Sequence, residues 1–319
     1  MSHDIERRDF LRTSVAASTG AALGFNFEEK VLLAQASGGP ETPERAASAK
    51  SLPNGRIGDV TISRVICGGN LISGYAHSRD LIYVSSLLEH YFTDEKVMET
   101  FEVCEQHGIN SAILRLDSHT LRILNTYWRE RGGKLQWIAQ VKPKATDLTS
   151  DVDRAVDNGA IGVYIQGGVA DRMTADGHVD LLGKALERIK ENGVIAGMGA
   201  HALEVVVKCE EAGLEPDFYM KTLNSKSYWS AGPMPRHDSV WAETPNETIA
   251  FMKGVKKPWI AFKVLGAGAI HPKEGFRYAF ENGADFLCVG MFDFQVAADV
   301  EIACNVLGSE LKRERPWRA

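Results

Sequence analysis

The chain has little that would tie it to nucleic acid, to a membrane or to a disulfide scaffold. Across its 319 residues the formal net charge is -6, with no basic stripe or arginine-rich arm. That balance argues against nucleic acid as a partner. No apolar run reaches the roughly 18 residues that a membrane-spanning helix needs, so no stable membrane span is expected. The five cysteines, Cys67, Cys104, Cys209, Cys288 and Cys304, are odd in number and irregularly spaced, which is not a disulfide framework. Cys67 and Cys288 fall on the first and last expected strands, which would be neighbours. Two buried thiols suit those positions better than a bridge. No division of the pattern into two halves favours a doubly wound open sheet.

What is present begins with Glu6-Arg7-Arg8-Asp9-Phe10-Leu11-Arg12, followed by a mild, small-residue stretch from Thr13 to Phe25. Paired arginines, then Phe-Leu, then a weakly hydrophobic run form the pattern of a twin-arginine signal. Ala34-Gln35-Ala36 fits the cleavage rule, so residues 1–36 are expected to be a signal peptide. The expected partner is the twin-arginine export machinery and the expected location the periplasm. Residues 37–54, rich in Gly, Pro, Ser, Ala and charge, read as a flexible linker.

From residue 55 to 319 short β-rich runs alternate with amphipathic helical runs. Expected strands are Ile62–Cys67, Ser111–Leu116, Gln136–Val141, Gly162–Gln166, Val194–Met198, Phe218–Thr222, Trp259–Leu265 and Phe286–Gly290. Helical patterns with Asn-Gly or Gly stops lie between them. Eight strand–helix units with apolar strands imply an α/β fold, a closed (β/α)8 barrel of a single domain. In such a barrel the reacting groups gather at the C-terminal ends of the strands.

Polar residues stand at many of those ends: Asn70, Asp117, His119, Lys142, Gln166, His201, Lys221, Asn224 and Lys263. Lys142 falls on the inward phase of its strand, where lost hydration would depress its pKa and suit it to acid, base or Schiff-base work. An ion pair with Asp117 would instead keep it charged and inert. His201 and Lys221 are further acid–base candidates, and Asp117 accompanies them. Asp117, His119 and His201 together have the ligand types of a divalent-metal site. The turns at Gly266-Ala267-Gly268 and Gly290-Met291-Phe292-Asp293 follow strands seven and eight, where barrels often hold phosphate. A long loop, Asn224 to Pro245, carries Trp229 and His237 beside other aromatics, which suits a sugar or another polar ring. Asn70, Gln166, Asn224, Trp229 and His237 are the expected substrate-binding residues.

Several segments resemble the aldo-keto reductase family. Gly55-Arg56-Ile57-Gly58 through Gly68-Gly69-Asn70 is similar to its opening, as is Thr93-Asp94-Glu95-Lys96 leading to Gly108-Ile109-Asn110. Trp137 to Lys142 looks like the strand that bears its lysine, and Ala261 to Leu265 like its seventh strand. Gly290 to Asp299 resembles the segment that wraps the adenosine phosphate. The resemblance implies a carbonyl or sugar oxidoreductase with NADP held by Gly266, Gly268, Gly290, Met291, Phe292 and Gln295. Of the family's catalytic Asp, Tyr, Lys and His, only Lys142 has a counterpart. Ser111-Ala112-Ile113-Leu114 stands where the Asp would be, and Gln166-Gly167 where the His would be.

Three functions stay open at this stage. One is an exported oxidoreductase acting on a carbonyl or sugar, with a cofactor loaded before export. The second is a non-redox sugar isomerase, epimerase or lyase using Lys142, His201 and Lys221, with or without a metal. The third is a catalytically inactive barrel that binds a small molecule.

Overall fold

The computed structural model describes residues 51–75, 81–227 and 242–319. The segments expected to be the export signal, and the loop residues Trp229 and His237, lie outside the described residues.

The chain opens with an antiparallel hairpin, β1 (Asn54–Ile57) and β2 (Val60–Ser63). Eight parallel strands then close into a barrel. They are β3 (Val65–Gly68), β4 (Ser111–Arg115), β5 (Gln136–Val141), β6 (Gly162–Ile165), β7 (Ile195–Ala200), β8 (Phe218–Thr222), β9 (Trp259–Phe262) and β10 (Phe286–Val289). Each pairs with the next, and β10 returns to β3 through Leu287 opposite Val65. The α/β barrel expected from the alternation of strands and helices is therefore the fold.

The expected first strand, Ile62–Cys67, divides into two. The chain turns between Ser63 and Arg64, because the Arg64 guanidinium donates to the carbonyls of Asp285 at 2.9 Å and Ala319 at 2.6 Å. β2 thus belongs to the hairpin and β3 to the barrel. Ile57 and Ile62 of the hairpin pack with Ile66, Ile113, Ile138, Ile195, Phe218, Ile260 and Phe286 inside the barrel. The hairpin is a plug for the N-terminal end. The fold takes in the last residues of the expected linker, 37–54: Leu52 is buried and Asn54 starts β1. Asp285 fixes the same end, accepting from Arg315 at 2.6 Å, from Arg313 at 2.9 Å and from the Trp259 backbone N–H at 2.9 Å.

Strand alternation sorts the rest of the core. Phe218 and Met220 point inward, so Tyr219 and Lys221 point out toward the helices. Gly197 makes room inside, since a Cβ there would collide with the Phe218 ring and lie 2.7 Å from the Tyr164 Cβ. Cys288 faces the barrel interior, whereas Cys67 faces outward, close enough to hydrogen-bond Cys104. All five cysteines are free and buried.

The helices are α1 (Val84–Tyr91), α2 (Asp94–Gln106), α3 (Ser118–Glu130), α4 (Ser150–Asp157), α5 (Gly167–Ala175), α6 (Val179–Glu191), α7 (Leu203–Glu211), α8 (Pro245–Met252), α9 (Pro272–Glu281) and α10 (Asp293–Leu307). Helix α5 is not among the helices expected from the sequence; it opens on Gly167-Gly168, residues of low helix propensity. Gln166 nevertheless caps it, its Oε1 accepting from the Val169 N–H at 3.2 Å. Among the described residues, no helix is long and apolar enough to cross a membrane.

Candidate active site

At the C-terminal end of the barrel two cavities, of about 350 and 160 Å³, share Asn70, Tyr75, Arg115, Gln140, Tyr164, Phe262 and Lys263 in their walls. They form one mouth with a polar arm and a longer, more apolar arm. His201, Gln166 and Lys142 line the polar arm. The longer arm runs between the turns after β9 and β10, past Leu71, Val84, Leu88, Gly268, Gly290, Phe292, Gln295 and Asp299.

The chemical centre of the polar arm is His201 with Asp171. His201 follows β7, and Asp171 projects from α5. The Asp171 Oδ2 lies 2.7 Å from His201 Nδ1. Its Oδ1 accepts the backbone N–H groups of His201 and Ala202, both at 3.0 Å. A carboxylate accepting from this many donors is fixed in place. It orients the imidazole with Nδ1 protonated and leaves Nε2 for the cavity. Gly167 permits this close packing, since a Cβ there would lie 3.0 Å from the His201 Nδ1 and Cε1.

Burial pushes the His201 pKa below its ordinary value, and the nearby charges of Lys263 and Lys221 push the same way. Asp171 opposes them without reversing the shift. At neutral pH the imidazole is therefore a neutral base.

Opposite stand a cation and a neutral pair. Arg115 pairs with Asp117 at 2.8 Å and sits over the Tyr75 ring at 4.8 Å. Gln140 Nε2 donates to the Tyr164 hydroxyl at 2.5 Å, and burial raises the pKa of that phenol. Lys263 ends β9 in a left-handed conformation, φ 61°. That is a costly geometry for a residue with a Cβ, and such strain concentrates at functional sites.

The residues expected from the sequence divide accordingly. Asn70, Gln166, Lys142 and His201 come together at the mouth. Lys142 is exposed rather than stripped of water, because β5 ends at Val141 and the rim beyond it is open to solvent. The dehydrated lysine is Lys221, 1% exposed. Its Nζ donates to the Thr222 Oγ1 at 2.9 Å and the Thr222 carbonyl at 3.2 Å. Burial lowers its pKa to about 8. It faces the helices and lines neither arm, so the rim role expected for it is corrected to one behind the wall. Asn224 is likewise buried away from the cavity, where it donates to the Lys263 carbonyl at 3.2 Å.

The expected metal ligands are not brought together. Asp117 caps α3 through the Thr120 N–H and pairs with Arg115, His119 lies 3.1 Å from Asp94 on α2, and His201 is held by Asp171. Among the described residues no group of three or more His, Cys, Asp or Glu side chains is placed to hold a metal ion. Of the expected cofactor residues, Gly268, Gly290, Phe292 and Gln295 line the long arm, while Gly266 and Met291 are buried and do not.

Sequence reasoning missed Asp171, Arg115, Gln140, Tyr164 and Asp299. Arg115, Gln140 and Tyr164 were within reach of strand alternation, being in phase with the inward residues Ile113, Ile138 and Gly162. Asp171 carried no such signal.

No family model matches this sequence, and no curated protein matches it. Solved structures do match its fold. A Pseudomonas aeruginosa protein named "Putative aldo-keto reductase" aligns over 81% of this chain and 97% of its own, with a TM-score of 0.56 and 16% identity. The apo form of Gox0644 aligns over 81% of this chain and 94% of its own, with a TM-score of 0.53 and 10% identity. At these identities the likeness is one of fold.

Proposed function

We propose that this barrel is an oxidoreductase acting on a polar carbonyl or alcohol, such as a sugar, with His201 moving the proton at the substrate oxygen. The observation that carries this reading is the 2.7 Å His201–Asp171 pair at the polar end of a mouth whose other end extends into a long arm. The fold shared with a protein named as an aldo-keto reductase supports it.

The sequence resemblance implies a nicotinamide dinucleotide, and the long arm suits its neutral parts. Leu71, Val84, Leu88 and Phe292 offer apolar walls to a flat ring, and Gly268 and Gly290 let a ligand approach the backbone. Such a cofactor supplies hydride exchange at carbon. The extra phosphate of NADP suits the arm less well, because the buried carboxyl of Asp299 lines it.

The chain's own residues do the rest. Neutral His201 accepts the proton of a substrate hydroxyl at Nε2, and the resulting imidazolium is stabilised by Asp171. In the reverse direction the imidazolium returns that proton to a carbonyl oxygen. Arg115 and Lys263 place positive charge in the same arm and favour developing negative charge on that oxygen. Asn70, Gln140 and Gln166 offer hydrogen-bonding side chains to a polyhydroxylated substrate. Lys142, at the rim, is left to bind rather than to transfer protons.

A second reading, a non-redox sugar isomerase or epimerase, would use the same Asp171-held His201 as its base. Dye-free titration of the full chain with NADH, followed by fluorescence, separates the two. Saturable binding supports the redox reading, whereas no binding together with sugar turnover that His201→Gln abolishes favours the other.

The twin-arginine pattern at Arg7-Arg8 supports export to the periplasm through that machinery. That pathway carries folded proteins, so a bound cofactor would cross with the chain.

A further inference from the structure

Helix α10 buries Val296, Asp299, Val300 and Ala303 on one face. This is the spacing of an apolar stripe, and Asp299 is its one ionisable member. Asp299 is 5% exposed and lines the long arm. No side chain among the described residues pairs with it, and burial is the only influence that raises its pKa. A carboxylate buried to this degree is ordinarily paired or hydrogen-bonded.

One turn earlier, Gln295 lines the same arm. Its Oε1 accepts from the Phe292 backbone N–H at 3.1 Å, which leaves its amide N–H groups as donors. This end of the arm thus offers two carboxylate acceptors and one amide donor, with Leu71, Leu265 and Phe292 nearby in the wall. The cations of the mouth, Arg115 and Lys263, stand where the two arms join.

A phosphate ester here would set like charges together in apolar surroundings. A cationic ligand would share the cavity with Arg115 and Lys263. A neutral vicinal diol meets neither objection: its hydroxyls donate to the two carboxylate oxygens and accept from the Gln295 amide.

We infer that Asp299 and Gln295 form a subsite for a neutral vicinal diol and turn away its phosphate ester. This deepens the redox reading above, on which it rests for the dinucleotide: the cofactor would be NAD, whose riboses are unesterified at their diols, rather than NADP.

The test is calorimetric titration of the full chain with NADH and with NADPH, and separately with millimolar ribose and ribose 5-phosphate. The wild type should bind NADH about tenfold or more tightly than NADPH, the scale of penalty set by a buried like charge. Asp299→Asn should collapse that ratio to roughly threefold or less. Gln295→Leu, at an exposed position that leaves the core intact, should weaken NADH binding by about threefold to tenfold. If NADPH binds as tightly as NADH, or Asp299→Asn leaves the ratio unchanged, the subsite is refuted. If neither dinucleotide binds but ribose does, over its phosphate and dependent on Asp299, the diol subsite stands and the redox reading falls. If none of the four binds, both fall.

Discussion

Replacing Asp171 by Asn removes one charge and leaves the side-chain shape nearly unchanged. In the wild type the two carboxylate oxygens accept three N–H groups, one from the imidazole and two from the backbone at His201 and Ala202. An amide retains one acceptor oxygen and sets an NH2 group against donors. The amide oxygen can keep the two backbone N–H groups only if the NH2 faces Nδ1, which drives the imidazole to the opposite tautomer; exchanging three bonds to a carboxylate for bonds to a neutral amide costs about 1–3 kcal/mol. For a domain of this size each kcal/mol lowers Tm by roughly 2–4 °C, so a fall of about 4–8 °C is expected for a mid-range loss.

The second consequence is electrostatic. Asp171 is the influence that raises the His201 pKa against burial and two lysines, so its loss lowers that pKa further. A histidine depressed in the folded state binds fewer protons there than when unfolded. Its contribution to stability is therefore full above its ordinary pKa of about 6.5 and is lost as the pH falls below that value. The variant should lose stability more steeply on acidification than the wild type. Scanning calorimetry across pH gives the first quantity, and NMR titration of the imidazole gives the second. A variant with unchanged Tm and an unchanged or raised imidazole pKa would refute the dyad.

Lys221, Gly197 and the N-terminal arginine pair carry one expectation each. Lys221→Met should raise Tm near pH 7 and gain less near pH 10. The buried ammonium titrates at about 8 when folded, so the native state is disfavoured below that pH and relieved as pH rises toward the unfolded value. Gly197→Ala should destabilise by about 1–3 kcal/mol or more in urea unfolding, since its methyl meets the Phe218 ring and the Tyr164 Cβ with no space between. Arg7→Lys with Arg8→Lys should leave the protein in the cytoplasmic fraction. Unchanged recovery in the periplasmic fraction would refute the export reading.

The barrel was legible because its signals repeat. Apolar runs such as Gln136–Val141 and Phe218–Thr222 stand in the structure with the bounds read from the sequence. What escaped were features that depend on distant partners. The split at Ser63–Arg64 is fixed by Asp285 and Ala319, more than two hundred residues away. β9 stops at Phe262 rather than Leu265 because Lys263 turns left-handed.

The site was half legible for the same reason. His201 was visible as a polar strand end, but its partner lies on α5, whose opening Gly167-Gly168 gives no helix-start signal. Lys221 was misplaced although its strand alternates plainly: with Phe218 and Met220 inward, it has to point out. Lys142 kept the inward phase, but Val141 was already the last residue of the strand. Asp299 stood only as the end of the segment that resembles the adenosine-phosphate wrap, and its place in the buried face of the last helix was not read.

The proposed function has His201 transfer the proton in a dinucleotide-dependent reaction at this mouth. Its most direct measurement is oxidation of a panel of sugars and polyols by the full chain with NAD, followed by NADH fluorescence, for the wild type and His201→Gln. NADH should appear with the wild type, and the variant should lose at least about a hundredfold in kcat while binding NADH as before. Turnover by His201→Gln at the wild-type rate would contradict the account.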